Sequence, residues 1–444
     1  MRGRPGSSTS LKGRLRRWAG LAHLWLGLTA GLVFAVAGVT GAILVFYVEA
    51  DRAAHADLRR LADTPAPAHY EPILRALEAH APHRPGAWRL EVTGRGGPVP
   101  VRYYAPAETA GRDFAPLMLW VDAQNGAVVR EALWGEYLAT WIYDLHYALL
   151  LGDMGKALMA IVGILVLVLL VGGTWLWWPA RGKLRSALTF KPSPSPQRRI
   201  YDLHKVAGIY GLLQLAILTA TGVVLGAPEW FRPGLAAFGP LYRAPELHSA
   251  SAPGAARISV DMAVDRAQAV FPQAELAWIE TPAGPHGVFR INLQQPGEPS
   301  RRFPRTNVWV DAYSGRVLAV RDPRTEPAGD KVLNWLHAIH NGEAAGLPGR
   351  LLAAVSGLGA ASLFLTGLVR FQHKRRARIQ AGRKATGRTH GPGSSGGIVP
   401  ARWPTQGLAW IGGGSEAWTR VRTPPASDGP ASLRPHKDGS PGPA

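Results

Sequence analysis

The stretch LMAIVGILVLVLLVGGTWLWW, residues 158–178, contains no charged side chain. About 20 consecutive apolar residues form a helix long enough to cross the hydrocarbon core of a bilayer. Three more stretches of this kind occur, so that the candidate spans are Leu21–Val48, Leu158–Trp178, Val206–Ala227 and Leu351–Phe371. The sequence therefore predicts an α-helical integral membrane protein with a four-transmembrane-helix bundle.

The composition limits the chemistry that is open to the protein. Of the 444 residues, 47% are hydrophobic and 18% are charged, which is less charge than the ~25% usual in soluble domains. The chain has no cysteine, and this excludes disulfides, thiolate-bound zinc, iron–sulfur clusters and thiol catalysis. Metal or redox chemistry would thus depend on histidine, carboxylates or a bound cofactor.

Basic clusters beside the apolar stretches contribute to the net charge of +20. Lysine and arginine concentrate in the cytoplasmic loops of membrane proteins, so this pattern indicates a lipid bilayer and argues against nucleic acid as a partner. The clusters are Arg14, Arg16 and Arg17; Arg181, Lys183 and Arg185; Arg198 and Arg199; and Lys374, Arg375 and Arg376. We therefore expect a multi-pass protein of the bacterial inner (cytoplasmic) membrane, with both termini cytoplasmic and two long extracytoplasmic segments.

An internal repeat relates the two halves of the chain. His23 and His204 are each followed by Gly at +4 and by Thr-Gly at +17 and +18. His146 and His340 are each followed by Gly at +9, a basic residue at +10, and Gly at +17 and +27. Between them, the sequence WVDA with a glycine three residues later occurs at 120–123 and again at 309–312. Because each half contains two spans, the sequence predicts a parallel internal duplication.

The spans and the repeat together predict an order of segments along the chain. It comprises a cytoplasmic N-terminus (1–20), a first span (21–48), a first extracytoplasmic lobe (49–140), an outer helix with the second span (141–178), a cytoplasmic loop (179–203), a third span (204–227), a second extracytoplasmic lobe (228–332), an outer helix with the fourth span (333–372), and a disordered basic cytoplasmic tail (373–444).

Four histidines occupy matched positions in the two halves. His23 and His204 lie near the cytoplasmic ends of their spans, and His146 and His340 lie at the outer ends of the returning helices. Ionisable side chains at such depths are costly and indicate functional sites. Neutral imidazole is a good iron ligand, and two imidazoles at one depth would bind one haem from both faces. The sequence therefore predicts two bis-histidine haems, held by His23 with His204 and by His146 with His340, with His337 as the alternative to His340.

These features also have a purely structural interpretation, which the residues alone leave open. A lone histidine within a membrane can simply form a hydrogen bond with a neighbouring helix. Glycine on a span allows either tight helix packing or the close approach of a flat ligand.

The motifs around the histidines resemble the PepSY-associated transmembrane family, which includes iron-regulated membrane proteins and ferric-siderophore reductases. The motifs are RRW at 16–18, HLWLG at 23–27, YDLH at 143–146 and 201–204, LH at 336–337 and HNG at 340–342. The resemblance extends over about residues 14–373. It implies two extracytoplasmic α+β PepSY-like lobes, each with a helix (Pro72–His80 or Asp261–Phe271) before strands that end at Trp120–Ala123 or Trp309–Ala312.

The resemblance also implies a function. A protein of this kind reduces a ferric siderophore outside the membrane and takes electrons from a cytoplasmic or membrane donor through its two haems. A hard oxygen-ligand chelator holds ferrous iron more weakly, so reduction releases the metal. No phosphate-binding glycine loop lies between a strand and a helix, so the donor would be another protein or a lipid-soluble carrier.

Two other functions stay open at this point. One is a non-enzymatic PepSY accessory protein that restrains a periplasmic partner, and the other is a haem conduit for another periplasmic oxidoreductase. Aromatic residues near the lobes are candidates for ligand contact or for the core and the interfacial belt: Tyr103, Tyr104, Trp134, Trp230 and Trp278.

Overall fold

The computed structural model of the protein describes residues 11–387, apart from residues 95, 113, 191–194 and 251–254. The helices of the described residues are α1 (Leu11–Leu28), α2 (Ala30–Leu44), α3 (Tyr47–Ala54), α4 (Ala56–Arg60), α5 (Glu71–His80), α6 (Leu138–Ala148), α7 (Gly152–Trp177), α8 (Leu184–Leu188), α9 (Pro196–Tyr210), α10 (Leu212–Gly226), α11 (Pro228–Leu235), α12 (Val260–Val270), α13 (Ala328–His340) and α14 (Gly346–Gly387). The strands are β1 (Trp88–Glu91), β2 (Val99–Tyr103), β3 (Leu117–Val121), β4 (Val128–Leu133), β5 (Glu275–Glu280), β6 (Val288–Gln294), β7 (Thr306–Asp311) and β8 (Val317–Arg321).

These strands form one eight-stranded antiparallel sheet. Their order is β4-β3-β2-β1-β5-β6-β7-β8, so each half of the chain supplies four consecutive neighbours. The halves meet where β1 pairs with β5, with Leu90 opposite Ile279. The segments expected to form separate lobes, 49–140 and 228–332, therefore share a single sheet. The pairing satisfies backbone groups that two separate sheets would leave at exposed edges.

One face of the sheet forms the main hydrophobic core. Alternate strand residues point to this face, and Leu90, Leu119 and Ile291 on it have no exposed surface. They belong to the same buried cluster as side chains of α5 and α12, the helices that precede the strands in each half. Ser259 begins α12 because its side chain accepts a hydrogen bond from the backbone N–H of Met262. The helix-before-strands order expected from the sequence is present in both halves.

The membrane helices occupy the positions of the predicted spans. Helices α7 and α14 are each long and apolar enough to cross a membrane. The pairs α1–α2 and α9–α10 meet the same criterion when each is taken as one span, and they are bent by 46° and 61°. Helix α7 packs against both α1 and α10, so the described spans of the two halves contact each other.

Each bend has a local cause that the repeat did not reveal. Thr29 separates α1 from α2, and its hydroxyl donates a hydrogen bond to the carbonyl oxygen of Trp25 at 2.8 Å. Such back-bonding by threonine bends helices. Gly211 separates α9 from α10, and glycine is a common site of kinks. Both spans also begin earlier than predicted, at Leu11 and Pro196.

The fourth span extends further than the sequence indicated. Disorder was expected from residue 373, but α14 continues to Gly387, so the prediction is wrong for residues 373–387. This segment contains Ala, Arg, Lys and Gln, which are good helix formers, and a preformed span supplies the costly nucleus of the helix. The remainder of the predicted tail, 388–444, lies outside the described residues.

Candidate metal centre

Helices α6 and α13 are short, and each ends at or just beyond a predicted ligand. His146 lies two residues before the end of α6, and His340 is the last residue of α13. After α6 the chain reverses through Leu149 and Leu150, which have φ values of 50° and 61°. A Cβ at Gly155, in the first turn of α7, would collide with the backbone at the end of α6. Glycine there permits the tight turn that holds α6 and its histidine against the helix bundle.

The rings of His146 and His340 face each other. Their centres are 6.1 Å apart, and their planes are inclined by 49°. We call these residues the outer pair, and His23 with His204 the inner pair, after the predicted topology. Two imidazoles that bind one metal from opposite sides, with bonds of ~2.0–2.1 Å, place their ring centres roughly 6 Å apart. The spacing of the outer pair therefore suits a single metal between the rings.

The Nδ1 atom of each outer histidine is engaged by a neighbouring helix. In the first half it lies 3.0 Å from the carbonyl oxygen of Ala37 and 3.2 Å from Thr40 Oγ1. In the second half it lies 3.0 Å from the carbonyl oxygen of Leu218 and 3.0 Å from Thr221 Oγ1. A carbonyl oxygen only accepts, so Nδ1 carries the proton and donates it. Each Nε2 then keeps a lone pair for a metal.

Glycine makes room for both outer rings. A Cβ on Gly41 would lie 2.8 Å from Cε1 of His146, and a Cβ on Gly222 would lie 3.0 Å from Cε1 of His340. Both distances are shorter than the ~3.5–4.0 Å at which carbon atoms normally rest. In each Thr-Gly pair of the repeat, the two residues thus serve one histidine. The threonine contacts its Nδ1 atom, and the glycine leaves space for its ring.

The donor set decides what kind of metal group the outer pair fits. The part of the chain that the structure describes contains no group of three or more His, Asp or Glu side chains arranged to hold a metal ion. Two imidazoles alone leave most coordination positions of an ion unfilled. A porphyrin fills four positions in its plane and leaves two axial positions that side chains of the protein can fill. The residues of the outer pair therefore fit a bis-histidine haem.

The inner histidines are positioned by the same repeat. His23 lies on α1, and a Cβ on Gly173 of α7 would be 2.8 Å from its Cε1. His204 lies on α9, and a Cβ on Gly367 of α14 would be 3.5 Å from its Cε1. These are the glycines that follow the outer histidines of the same halves at +27. Each of the four histidines thus lies against a glycine of its own half.

The two halves differ at the Nδ1 atoms of the inner histidines. Nδ1 of His204 lies 2.8 Å from Thr366 Oγ1. The first half has Gly172 where the second has that threonine. Nδ1 of His23 is buried and forms no hydrogen bond with a described residue, although the backbone of Leu169 lies close to it. The inner site is therefore less symmetric than the outer one.

The inner histidines are neighbours without being in ring contact. They interact electrostatically with each other, and Arg370 of α14 interacts with both. Within the described ranges, they form no ring pair like that of His146 and His340. The Arg370 guanidinium also stacks over the ring of Tyr201 at 4.6 Å. The structure thus brings the outer pair face to face and places the inner pair near one another with a shared cation.

Comparison with known families agrees with the motifs of the chain. A sequence model of the PepSY-associated TM region matches residues 21–374. The chain belongs to this family. The match includes both histidine pairs and all the strands of the sheet, and it confirms the resemblance inferred from the motifs. The PepSY-associated TM region and the apolar helices identify a membrane protein. No protein of curated function matches the chain.

In this PepSY-associated TM region, His337 occupies a different environment from His340. Its ring centre lies 4.2 Å from that of Phe303, and its Nδ1 lies 3.3 Å from Nδ2 of Asn341. Of the two candidate ligands on α13, it is His340 that faces His146. The repeat favours the same residue, because His337 aligns with Tyr143 in the first half.

Sequence reasoning missed several residues that position the histidines. It noted the Thr-Gly pairs without assigning Thr40 and Thr221 to Nδ1 of the outer pair, and it did not single out Thr366 or Arg370. The available signal was the recurrence of Thr-Gly at matched positions, together with a lone arginine near the end of the last PepSY-associated span. Neither signal shows which helix lies opposite, so the contacts of these residues with the histidines are visible only in the structure.

Proposed function

We propose that this protein is a transmembrane di-haem electron-transfer protein that reduces ferric siderophores on the periplasmic side. The observation that carries the proposal is the outer pair, whose ring centres are 6.1 Å apart with both Nδ1 atoms engaged by backbone carbonyls. A haem with two imidazole axial ligands transfers single electrons without binding oxygen, because no axial position is open.

The residues around the outer pair support a fixed electron-transfer site. The carbonyl oxygens of Ala37 and Leu218 orient the imidazoles through their Nδ1 protons, and such partners raise the basicity of the ligating nitrogen. Gly41 and Gly222 let each ring lie close against a neighbouring helix, where any larger residue would meet it. Rigid ligands change little between two oxidation states, which favours electron transfer over other chemistry.

The inner pair supplies the second site of the proposed path. His23 and Thr40 are 17 residues apart in the first bent span, which corresponds to ~25 Å of helix at 1.5 Å per residue. His23 and the outer pair are therefore well separated along the span. With two such sites, an electron would cross the membrane in two shorter transfers. Arg370 lies beside the inner site.

The reaction requires one electron for each iron. His146 and His340 would hold the haem that supplies this electron, and a cytoplasmic or membrane donor would replace it, so that the Fe(III) of the siderophore becomes Fe(II). The softer ferrous ion is held more weakly by hard oxygen ligands and leaves the chelator. The described residues need to supply no nucleophile and no general base for this step.

The test starts from purified full-length protein. We expect about two haems per chain with a low-spin spectrum, and we expect ferric siderophores to reoxidise the dithionite-reduced protein. His146→Ala and His340→Ala should each lose the same single haem, because one iron needs both ligands. His80→Ala is the matched control, since His80 is exposed and pairs with Glu131 at 3.0 Å.

Three results would count against the proposal. Purification of a colourless protein would remove every electron-transfer function and favour the accessory role. Full haem content in both outer variants would refute the assignment of ligands. A haem protein that no ferric siderophore reoxidises would favour a conduit to a different periplasmic oxidoreductase.

A further inference from the structure

A cavity of about 90 Å³ lies between the residues that follow the first span and the sheet. Tyr47 and Asp51 of α3, Glu91 of β1 and Arg102 of β2 form part of its wall. Arg302, which comes from the second half of the chain, completes it. The cavity is thus bounded by both halves, on the opposite face of the sheet from the main hydrophobic core.

Both carboxylates of the cavity wall already have cationic partners. Asp51 forms an ion pair with Arg130 at 2.9 Å, and these side chains are only 11% and 13% exposed. Glu91 forms an ion pair with Arg102, which is similarly buried. Each of these two carboxylates is thus already neutralised by the arginine beside it. The acidic residues of the wall therefore leave the other arginines of the cavity unneutralised.

Arg302 is one of the arginines of the cavity wall that has no carboxylate partner among the described residues. Its guanidinium stacks over the rings of Tyr47 at 4.2 Å and Phe303 at 5.5 Å. Among the described residues, no carboxylate forms an ion pair with it. Glu343 lies near, but its carboxylate accepts hydrogen bonds from the hydroxyl of Ser300 and from backbone N–H groups, including that of Arg302 at 3.2 Å.

The charge state of Arg302 suits anion binding. Burial lowers the pKa of its guanidinium to about 10, so the group is still cationic at neutral pH. Arg52 also contributes to the wall and makes no ion pair with a residue in the described ranges. A cavity with paired carboxylates and additional arginines carries a net positive charge, and a planar guanidinium matches the geometry of a carboxylate.

The cavity lies close to the outer pair. Tyr47, at the start of α3, follows by six residues Gly41, which lies against His146. The ring of Tyr47 is 6.1 Å from that of Tyr143, which precedes His146 by three residues on α6. Tyr143 in turn contacts Trp134 of the cavity wall at 5.2 Å between ring centres. A molecule anchored in the cavity is therefore near the site from which it would receive an electron.

We propose that this cavity binds a free carboxylate of the ferric chelate that is reduced at the outer pair, with Arg302 as the recognising cation. The inference rests on the proposed function and narrows its substrate to ferric complexes of carboxylate-bearing chelators. The cavity volume accommodates a carboxylate arm, while the iron and the rest of the chelate stay outside. A chelate without a free carboxylate offers nothing for Arg302 to pair with.

Binding is tested without electron transfer by using gallium, which replaces ferric iron and is not reduced. Isothermal titration calorimetry of the purified protein would compare gallium citrate with the gallium complex of desferrioxamine, a hydroxamate. We expect Arg302→Met to weaken gallium citrate binding roughly 10- to 100-fold, the effect of losing one charged hydrogen-bond pair, and to leave desferrioxamine binding unchanged. Arg302→Lys should recover part of the affinity.

Arg316→Met is the matched control, because it removes the same charge from an exposed position in the turn between β7 and β8. Equal affinity of wild type and Arg302→Met for gallium citrate would overturn the inference. Loss of haem from Arg302→Met with unchanged citrate binding would overturn it as well, since the guanidinium would then serve a haem propionate. If citrate binds as expected but no ferric chelate reoxidises the reduced protein, the proposed function fails and the carboxylate site stands.

Discussion

Two adjacent glycines on α7, substituted one at a time, distinguish the effect of crowding a predicted ligand from a general effect of alanine on the helix. A Cβ at Gly173 would lie 2.8 Å from Cε1 of His23, whereas a Cβ at Gly172 would meet nothing within 4 Å. Carbon atoms normally rest ~3.5–4.0 Å apart, so the His23 ring must retreat by ~0.7–1.2 Å in Gly173→Ala. The side chains of a functional site must stay within ~0.5 Å of their productive positions.

The two variants should therefore differ in cofactor content more than in stability. Alanine is the better residue within a helix by ~0.5–1 kcal/mol, so Gly172→Ala should be neutral or slightly stabilising. Overpacking at Gly173 costs ~1–3 kcal/mol, and the lower end is expected because the histidine ring can rotate away. Rotation takes the ligand off its axis, so we expect Gly173→Ala to lose the inner haem and to keep the outer one.

The assay is haem content per protein after purification, with electron paramagnetic resonance to separate the two low-spin signals. Gly367→Ala provides an intermediate case, since its Cβ would lie 3.5 Å from Cε1 of His204, an ordinary contact. We expect that variant to retain both haems. Identical haem content and spectra in Gly172→Ala and Gly173→Ala would refute the assignment of His23 as a ligand held against Gly173.

Three further predictions follow from individual contacts. Arg130→Met removes the arginine from the buried carboxylate of Asp51, which keeps only the partly exposed His55 at 3.4 Å, and should destabilise the protein by ~1–3 kcal/mol in thermal unfolding; a change below ~1 kcal/mol would contradict a buried pair. Thr366→Val removes the hydroxyl 2.8 Å from Nδ1 of His204 and should weaken haem binding ~10- to 100-fold at the inner site alone, measured by transfer to apomyoglobin; an equal effect at the outer site would contradict it. Burial alone would raise the pKa of Asp311, but hydrogen bonds from backbone N–H groups and a serine hydroxyl hold that pKa below its usual value. The carboxylate thus stabilises the sheet above pH ~4 and loses this contribution as pH falls through its folded pKa, so Asp311→Asn should reduce the acid sensitivity of unfolding; an unchanged pH profile would count against this role.

The sequence predicts the spans because hydrophobic length is a one-dimensional property. Leu158–Trp178 lies almost entirely within α7, and a strand ends within each WVDA motif, as the resemblance to the PepSY-associated family implied. The joining of β1 to β5 could not be predicted, because strand pairing across a long separation leaves no periodic signal. The bend at Thr29 depends on the hydrogen bond from its hydroxyl to the backbone carbonyl of Trp25. The sequence alone does not determine which acceptor a threonine hydroxyl will use.

The candidate site could be predicted from the sequence to a similar extent. Matched spacing identified the histidines and the glycines at +18 and +27 as repeated features. It did not show that each glycine lies against a histidine, because that contact joins helices whose relative rotation is set by packing. The sequence shows Gly172 at the position that corresponds to Thr366. Only the structure, which places Thr366 beside His204, shows that His23 lacks the matching hydroxyl.

The antiparallel pairing of β1 with β5 has a consequence for how such a chain could arise. The two strands run in opposite directions with the rest of each half arranged outward in the same order. This is the arrangement that a twofold axis generates from two identical subunits. A single helix–sheet–helix unit, half the present length, could build the same assembly as a homodimer by pairing its first strand with that of a second copy. Separate expression of the two halves should then yield subunits that recombine through this strand, rather than two independent proteins.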